Sequence, residues 1–296
     1  KDQPHCGPLL DAVQSIGHEQ HGGVATQHPS RPAPVELGQA ARTGAAPLMP
    51  KSLGQSAWAL SWQQDLTDLL ACLSTKPQAA QVGIVASLRA QSAEHTQQQA
   101  QRLLSGVMLG LDLASAPLLA AALQVHWTRL VHQTQQAFPD LAFGPIDNAR
   151  VCPCCGSDPV ASVSRMGAEE AGARYLHCSL CQTEWHMVRI KCTHCESTQD
   201  ISYQSLEAQA EAEQPTVQVP EGAVRAECCG ECGHYLKIMD MNKDAHVDPI
   251  ADDLASVSLD LLLSDAKALR HGVNLMLLWG EPLDEADHPI ESAGVT

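Results

Sequence analysis

The sequence predicts a multidomain chain: an N-terminal helical bundle, two small β modules each closed around a metal ion, and a C-terminal helix. Four Cys-x-x-Cys pairs between residues 152 and 232 predict the metal modules. A 3.6-residue apolar period across residues 51–140 predicts the bundle. Composition fits both. Of 296 residues 44% are hydrophobic, enough for a core. Only 3% are aromatic, so that core relies on Leu, Ala and Val, a composition that favours helices.

Residues 1–50 are rich in Pro, Gly, Gln and His and read as a loosely ordered arm with at most one short helix. Its His5, His18, His21, His28 and Cys6 are irregularly spaced, as in a solvated tail rather than a metal site. Residues 51–145 form the helical domain. In its first helix Leu53, Trp58, Leu60, Trp62, Leu66, Leu69, Leu70 and Leu73 lie along one face, and Pro77 punctuates the end. The second runs from Ala80 to Leu104 with Val82, Val85, Leu88, Leu103 and Leu104 in period. The third starts at Ser115, an N-cap with Pro117 in the first turn, and stops before Pro139. Its Trp127 and His126 read as packed core, as does Cys72 on the first helix.

Residues 141–150 carry a Gly-Pro punctuator and read as a linker. Strand-like alternation then appears in PVASVSRM, ARYLHC, TEWHMVRIKC and DISYQSL. These place a first module at residues 146–190 and a second at 191–248. The acidic stretch 204–227 reads as a surface insertion or hairpin within the second. Tyr175, Tyr203, Tyr235 and Trp185 read as the aromatics that pack such small modules. In the last region, 249–296, Leu254, Val257, Leu261 and Leu262 fit one helical face, with Asp252 or Asp253 as cap and Gly272 as stop.

The candidate metal ligands are Cys152, Cys155, Cys178, Cys181, Cys192, Cys195, Cys229 and Cys232. Two residues between cysteines let a tight turn aim both sulfurs at one ion, so four pairs supply two complete tetrathiolate sites. Sequential grouping joins the first pair to the second and the third to the fourth; a cross-brace would interleave them. Sequential grouping is favoured, because each half has enough chain for two or three short strands folding on its own ion. Four thiolates suit zinc or a single iron ion, and the sites leave no open coordination position for metal-assisted hydrolysis. Cys154 and Cys228 are surplus: reactive thiols or small buried residues. His177, His186, His194 and His234 lie near the ligands and read as neighbours that bond sulfur or face a partner.

The net charge of −16 argues against a nucleic-acid partner. Residues 150–250 are no exception, with 8 Lys and Arg against 15 Asp and Glu. No apolar run reaches the roughly 20 residues that span a bilayer. The start, KDQPHCGPLL, has one basic residue and no long apolar run, unlike a secretory signal. Closely spaced cysteines without a signal point to the reducing cytoplasm and to metal. Neither GxxxxGK[ST] nor a usable GxGxxG is present, which argues against an ATP-driven chaperone.

The run RYLHCSLCQTEWHMVRIKCTHC, from Arg174 to Cys195, resembles the formate dehydrogenase accessory protein FdhE family. CPCCGSDPVASV (152–163), ECGHYLKIMD (231–240), ADDLASVSLDLLL (251–263) and AALQVHWTRL on the third helix agree with it. The resemblance covers residues 115–280; the first hundred residues match weakly. CPCC and CCGEC carry one cysteine more than the family's usual knuckles. Cys229 rather than Cys228 keeps the Cys-x-x-Cys spacing to Cys232. The resemblance implies a helical domain joined to two rubredoxin-like or zinc-ribbon-like modules, with two metal ions bound and iron favoured. It implies that the eight paired cysteines are the functional residues. It also implies a cytoplasmic, non-enzymatic factor acting on the molybdopterin-containing catalytic subunit of respiratory formate dehydrogenase before twin-arginine export. The competing reading is a thiol-disulfide redox protein acting through its Cys-x-x-Cys pairs or the surplus cysteines. Trp185, His186 and Arg189 are candidates for the client-facing surface.

Overall fold

The computed structural model describes residues 34–50, 61–75, 79–139, 143, 146–166, 173–206 and 222–277. Leu53, Trp58, Leu60 and Pro77, Cys6 and the N-terminal histidines lie outside these residues. Among the described residues five helices come first: α1 (Pro34–Thr43), α2 (Trp62–Thr75), α3 (Ala79–Ala90), α4 (Ala93–Leu104) and α5 (Ala116–Ala137). Trp62, Leu66, Leu69, Leu70 and Leu73 of α2 are all buried, as their period requires. Helix α5 packs against both α2 and α4. Its run Ala120, Ala121 and Ala122 has no exposed surface, so small side chains let the neighbouring helices approach closely. Trp127 is core, as expected, and its Nε1 donates to the Leu48 carbonyl at 2.9 Å.

Three expectations for this half need correction. The span Ala80–Leu104 is two helices, because the Ser92 hydroxyl accepts the His95 N–H and starts α4 afresh; Val82 is then left 52% exposed. Ser115 sits at the N-cap of α5 but does not cap with its side chain; its hydroxyl donates to Asp112 Oδ2 instead. Residues 34–50 hold α1 and bury Leu37 and Leu48, so this part of the stretch read as an arm is packed. His126 is core for a polar reason. Its Nδ1 lies 2.8 Å from Asp65 Oδ2 on α2, and Arg129 reaches the other oxygen at 2.5 Å. A buried carboxylate needs such partners.

Both cysteine-rich halves then build one seven-stranded sheet. Its strands are β1 (Pro159–Ser164), β2 (Arg174–Cys178), β3 (Glu184–Met187), β4 (Ile201–Gln204), β5 (Val224–Cys229), β6 (His234–Asp240) and β7 (Leu269–Arg270). The order is β3-β2-β1-β6-β5-β4, with β7 beside β6. Each half contributes three antiparallel strands, and a parallel pair, β1 with β6, fuses them in the register Ser162↔Ile238. The four strand-like segments read from sequence are β1 to β4. Of the surface insertion or hairpin read at 204–227, the ends fit a hairpin: Gln204 closes β4 and residues 224–227 belong to β5, which pairs with it antiparallel; residues 207–221 lie outside the described set.

The C-terminal helix is two helices, α6 (Pro249–Ala255) and α7 (Val257–Asp265), with Asp248 as the cap of the first. The apolar face read from sequence is also corrected. Leu261 and Leu262 are 51% and 58% exposed, whereas Ile250, Asp253, Leu259, Asp260 and Leu263 are buried. Gly272 ends no helix. It follows β7 where a Cβ would lie 2.5 Å from the Val160 carbonyl oxygen, so only glycine fits. Among the described residues, no helix is long and apolar enough to cross a membrane.

Candidate metal centres

Each Cys-x-x-Cys pair closes a short turn. The first sulfur of two of them collects backbone N–H groups: Cys178 from Leu180 and Cys181, Cys192 from His194 and Cys195. The residue after the second cysteine is left-handed in all four: Gly156, Gln182, Glu196 and Gly233, at φ of 72°, 58°, 63° and 71°. That kink turns the chain back into the following segment. Two turns use glycine, and the other two hold a side chain there at a cost of about 1 kcal/mol each. Cys178 and Cys229 are also the last residues of β2 and β5, so a strand delivers each to its site.

The turns bring the sulfurs together in two groups: Cys152, Cys155, Cys178 and Cys181, and then Cys192, Cys195, Cys229 and Cys232. This is the sequential grouping, not the cross-brace. Within the first group Cys152 is 3.5 Å from Cys181 and Cys155 is 3.4 Å from Cys178. Within the second, the Cys192–Cys232 and Cys195–Cys229 separations are both 3.7 Å. These are far longer than a disulfide bond of about 2.05 Å. An ion bonded to four sulfurs at about 2.3 Å sets tetrahedral edges near 3.8 Å. Both groups thus have the chemistry and the spacing to hold an ion.

Comparison with known proteins agrees with this arrangement. The N-terminal, central and C-terminal domain models of FdhE match residues 2–139, 151–189 and 190–277. The chain belongs to the FdhE family. The FdhE homolog of Edwardsiella ictaluri is 38% identical over 250 residues, covering 84% of this chain and 75% of that one. The homolog of Cronobacter sakazakii is also 38% identical, over 221 residues that cover 74% of this chain and 66% of its own. The crystal structure of the FdhE protein from Pseudomonas aeruginosa superposes with a TM-score of 0.71 at 33% identity, covering 92% of this chain and 86% of that one. The FdhE likeness therefore extends into the first hundred residues, where sequence reading found a weak match.

The two clusters of this FdhE-family chain sit in different surroundings. The first is continuous with the helical core: Cys152, Cys154, Cys155, Cys178 and Cys181 are all buried within the cluster that holds Trp127 and Leu119. Gln124 of α5 donates to the Ser179 carbonyl at 2.8 Å, and Leu48 N–H donates to the Cys154 carbonyl at 2.9 Å. Four sulfurs so enclosed cannot all ionise unaided. Burial pushes the Cys155 and Cys178 thiols well up, while bonds from Cys154 and then Cys155 hold Cys152 down to about 5. A bound cation would let all four ionise together. The second cluster is open: Cys195 is exposed and Cys232 half-buried.

Neither surplus cysteine has the environment of a reactive thiol. Cys154 is 2% exposed, its sulfur 3.5 Å from the Thr183 hydroxyl, and the adjoining Cys152 and Cys181 sulfurs push its pKa up. Cys228 packs against the Leu259 and Leu263 face of α7, and burial and then Glu227 raise its pKa. A reactive thiol needs the opposite shift. Of the nearby histidines, His177 pairs with Glu184 at 3.3 Å and His186 meets the Tyr175 ring edge-on at 5.9 Å. His194 and His234 do lie at the second cluster, stacked with ring centroids 3.7 Å apart. Trp185 packs against the helical core and donates to the Ala149 carbonyl, whereas His186 and Arg189 are exposed. Tyr235 is the buried tyrosine of the three; Tyr203 is 38% exposed. Sequence reading did not identify the buried ion pair of Arg174 with Glu227, at 2.8 Å. Arg174 also donates to the Lys191 carbonyl and the Thr193 hydroxyl, tying β2 of the first half to the knuckle of the second.

Proposed function

We propose that this chain is a non-catalytic accessory protein for respiratory formate dehydrogenase. It binds the molybdopterin-containing catalytic subunit in the cytoplasm before twin-arginine export, and presents to it a platform held by two tetrathiolate metal ions. The observation that carries this reading is the pair of four-cysteine clusters with no protein ligand position left open. Such sites stabilise and shape a surface rather than turn over substrate. Family membership adds the formate dehydrogenase link. Iron is the metal that the family resemblance implies, and zinc is the other ion that four thiolates suit.

The ligands are the eight paired cysteines. With four thiolates per divalent ion each site carries a net charge of about −2. The first ion would join the helical core to the sheet. The second would lie at the surface, next in the chain to the exposed Val188 to Ile190 segment. The test has two parts. Protein purified without air is measured for metal and absorption, and a tagged catalytic subunit is used to retain it. Two ions per chain and retention support the reading. Absence of bound metal, or equal formate dehydrogenase activity in cells lacking this protein, rejects it.

A further inference from the structure

The second cluster has a neighbour that the first lacks. The metal-binding atoms of His194, Cys232 and His234 lie within 4.8 Å of one another, so the Cys232 sulfur belongs to two ligand sets at once. The stacked imidazoles of His194 and His234 are inclined by only 10° and present their edges side by side. His234 Nδ1 donates to the Cys232 carbonyl at 2.9 Å. That bond fixes the tautomer and leaves Nε2 with its lone pair, as a backbone carbonyl does behind a metal-bound histidine. His194 Nδ1 is buried and has no protein partner among the described residues. A small open cleft of about 10 Å³ is lined by His194, His234, His271, Cys192 and Cys229 among others. It has room for one water or one ion.

We infer that His194, His234 and Cys232 form a transfer site through which a soft divalent cation enters and leaves the second tetrathiolate cluster. The inference rests on the reading that the clusters hold metal. An ion enclosed by four thiolates leaves slowly if every bond must break before another forms. His194 and His234 would offer imidazole nitrogens to an ion there while Cys232 keeps its hold. Each thiolate that let go would be replaced by an imidazole nitrogen and would take a proton from water. No electron moves. The exposed Cys195 is the thiolate open to solvent for that first exchange. At the first cluster all four cysteines are buried, and among the described residues histidine takes part in no group around it. An ion there would be held in place.

The experiment uses the full chain loaded with two zinc ions and mixed with excess chromogenic chelator. Parent protein is expected to release one ion fast and one slowly, and Cys195→Ser to abolish the fast phase only. His194→Ala with His234→Ala slows the fast phase by about tenfold or more, the scale seen when partners of a metal site are removed. His234→Asn is the companion variant. Its side chain still donates to the Cys232 carbonyl but supplies no Nε2, and it slows release likewise while circular dichroism is unchanged. Fast-phase rates within about twofold of parent in both variants overturn the inference, as does a single rate for both ions. A histidine variant that binds only one ion makes the histidines permanent ligands and overturns it too. If parent protein binds no ion, the tetrathiolate reading itself fails and takes this one with it.

Discussion

The Lys237 ammonium on β6 lies 2.6 Å from Asp260 Oδ2 on α7, and both residues are buried. Lys237 also lies 3.2 Å from Asp253 Oδ1 on α6. Arg270, from β7, closes the square with 2.6 Å contacts to both carboxylates. Tyr235 donates to Asp260, and Asn274 to Asp253. Two cations meet two anions, so the network is neutral. It fastens α6 and α7 to the sheet beside the apolar contacts of Ile250, Leu259 and Leu263. Lys237→Met leaves two buried carboxylates to one arginine. We predict a loss of about 3–5 kcal/mol in chemical denaturation, and adding Asp260→Asn should recover part of it. A loss under about 1 kcal/mol would make the network dispensable.

Arg174 and Glu227 join the two halves of the sheet through side chains. Arg174→Gln is predicted to loosen the second half against the first. Amide exchange should then rise around Thr193 and Lys191, whose oxygens accept from Arg174, while the helical bundle keeps its protection. Unchanged protection there would show that the parallel β1–β6 pair suffices.

The clusters should respond differently to ligand loss. Cys178→Ser opens the cluster inside the helical core, so the helical circular dichroism of the whole chain is expected to melt earlier. Cys195→Ser opens the exposed cluster and should leave that helical transition in place. Equal effects of the two substitutions would contradict the embedding of the first cluster.

Cys154 and Cys228 are predicted to be inert. In folded protein neither should be alkylated by iodoacetamide at a rate near that of a free thiol, because Cys154 is buried beside the Cys152 and Cys181 sulfurs, and Cys228 is half-buried with its pKa raised by burial and then by Glu227. Cys228→Ser should leave formate dehydrogenase maturation intact. Rapid labelling of either residue would revive the thiol-disulfide reading.

His271 supplies a pH prediction. Burial, then His194 and His234, lower its pKa from 6.5 to about 4. Between those values the unfolded chain takes up the proton that the folded chain refuses. The contribution is thus complete above pH 6.5 and lost as pH falls towards 4. His271→Leu should flatten stability across that window relative to parent. Acid loss of metal is shared by both proteins, so the difference isolates the imidazole. Parallel curves would refute the assignment.

Local patterns carried much of this. The apolar period of α2 placed Trp62 to Leu73 in the core, and alternation marked β1 to β4. The Cys-x-x-Cys spacing identified all eight residues of the two sulfur groups, because a two-residue turn brings its own cysteines together wherever it occurs. The failures share a cause. Ser92 was passed over because one hydroxyl that restarts a helix barely disturbs a long apolar period. Leu261 and Leu262 were read as buried because hydrophobicity was the guide, yet the inward face of α7 carries Asp260, matched by Lys237 and Arg270 from other strands.

The sequence by itself determined the eight paired cysteines, their placement in turns and the helical character of the N-terminal half, since each depends on residues a few positions apart. Only the tertiary structure decided that β1 lies parallel to β6 and makes two modules one sheet. It alone placed one sulfur group inside the helical core and the other at the surface beside two stacked histidines. Those outcomes depend on which distant surfaces bury each other. Burial energy is non-directional, and it leaves no periodic mark in the chain that supplies it.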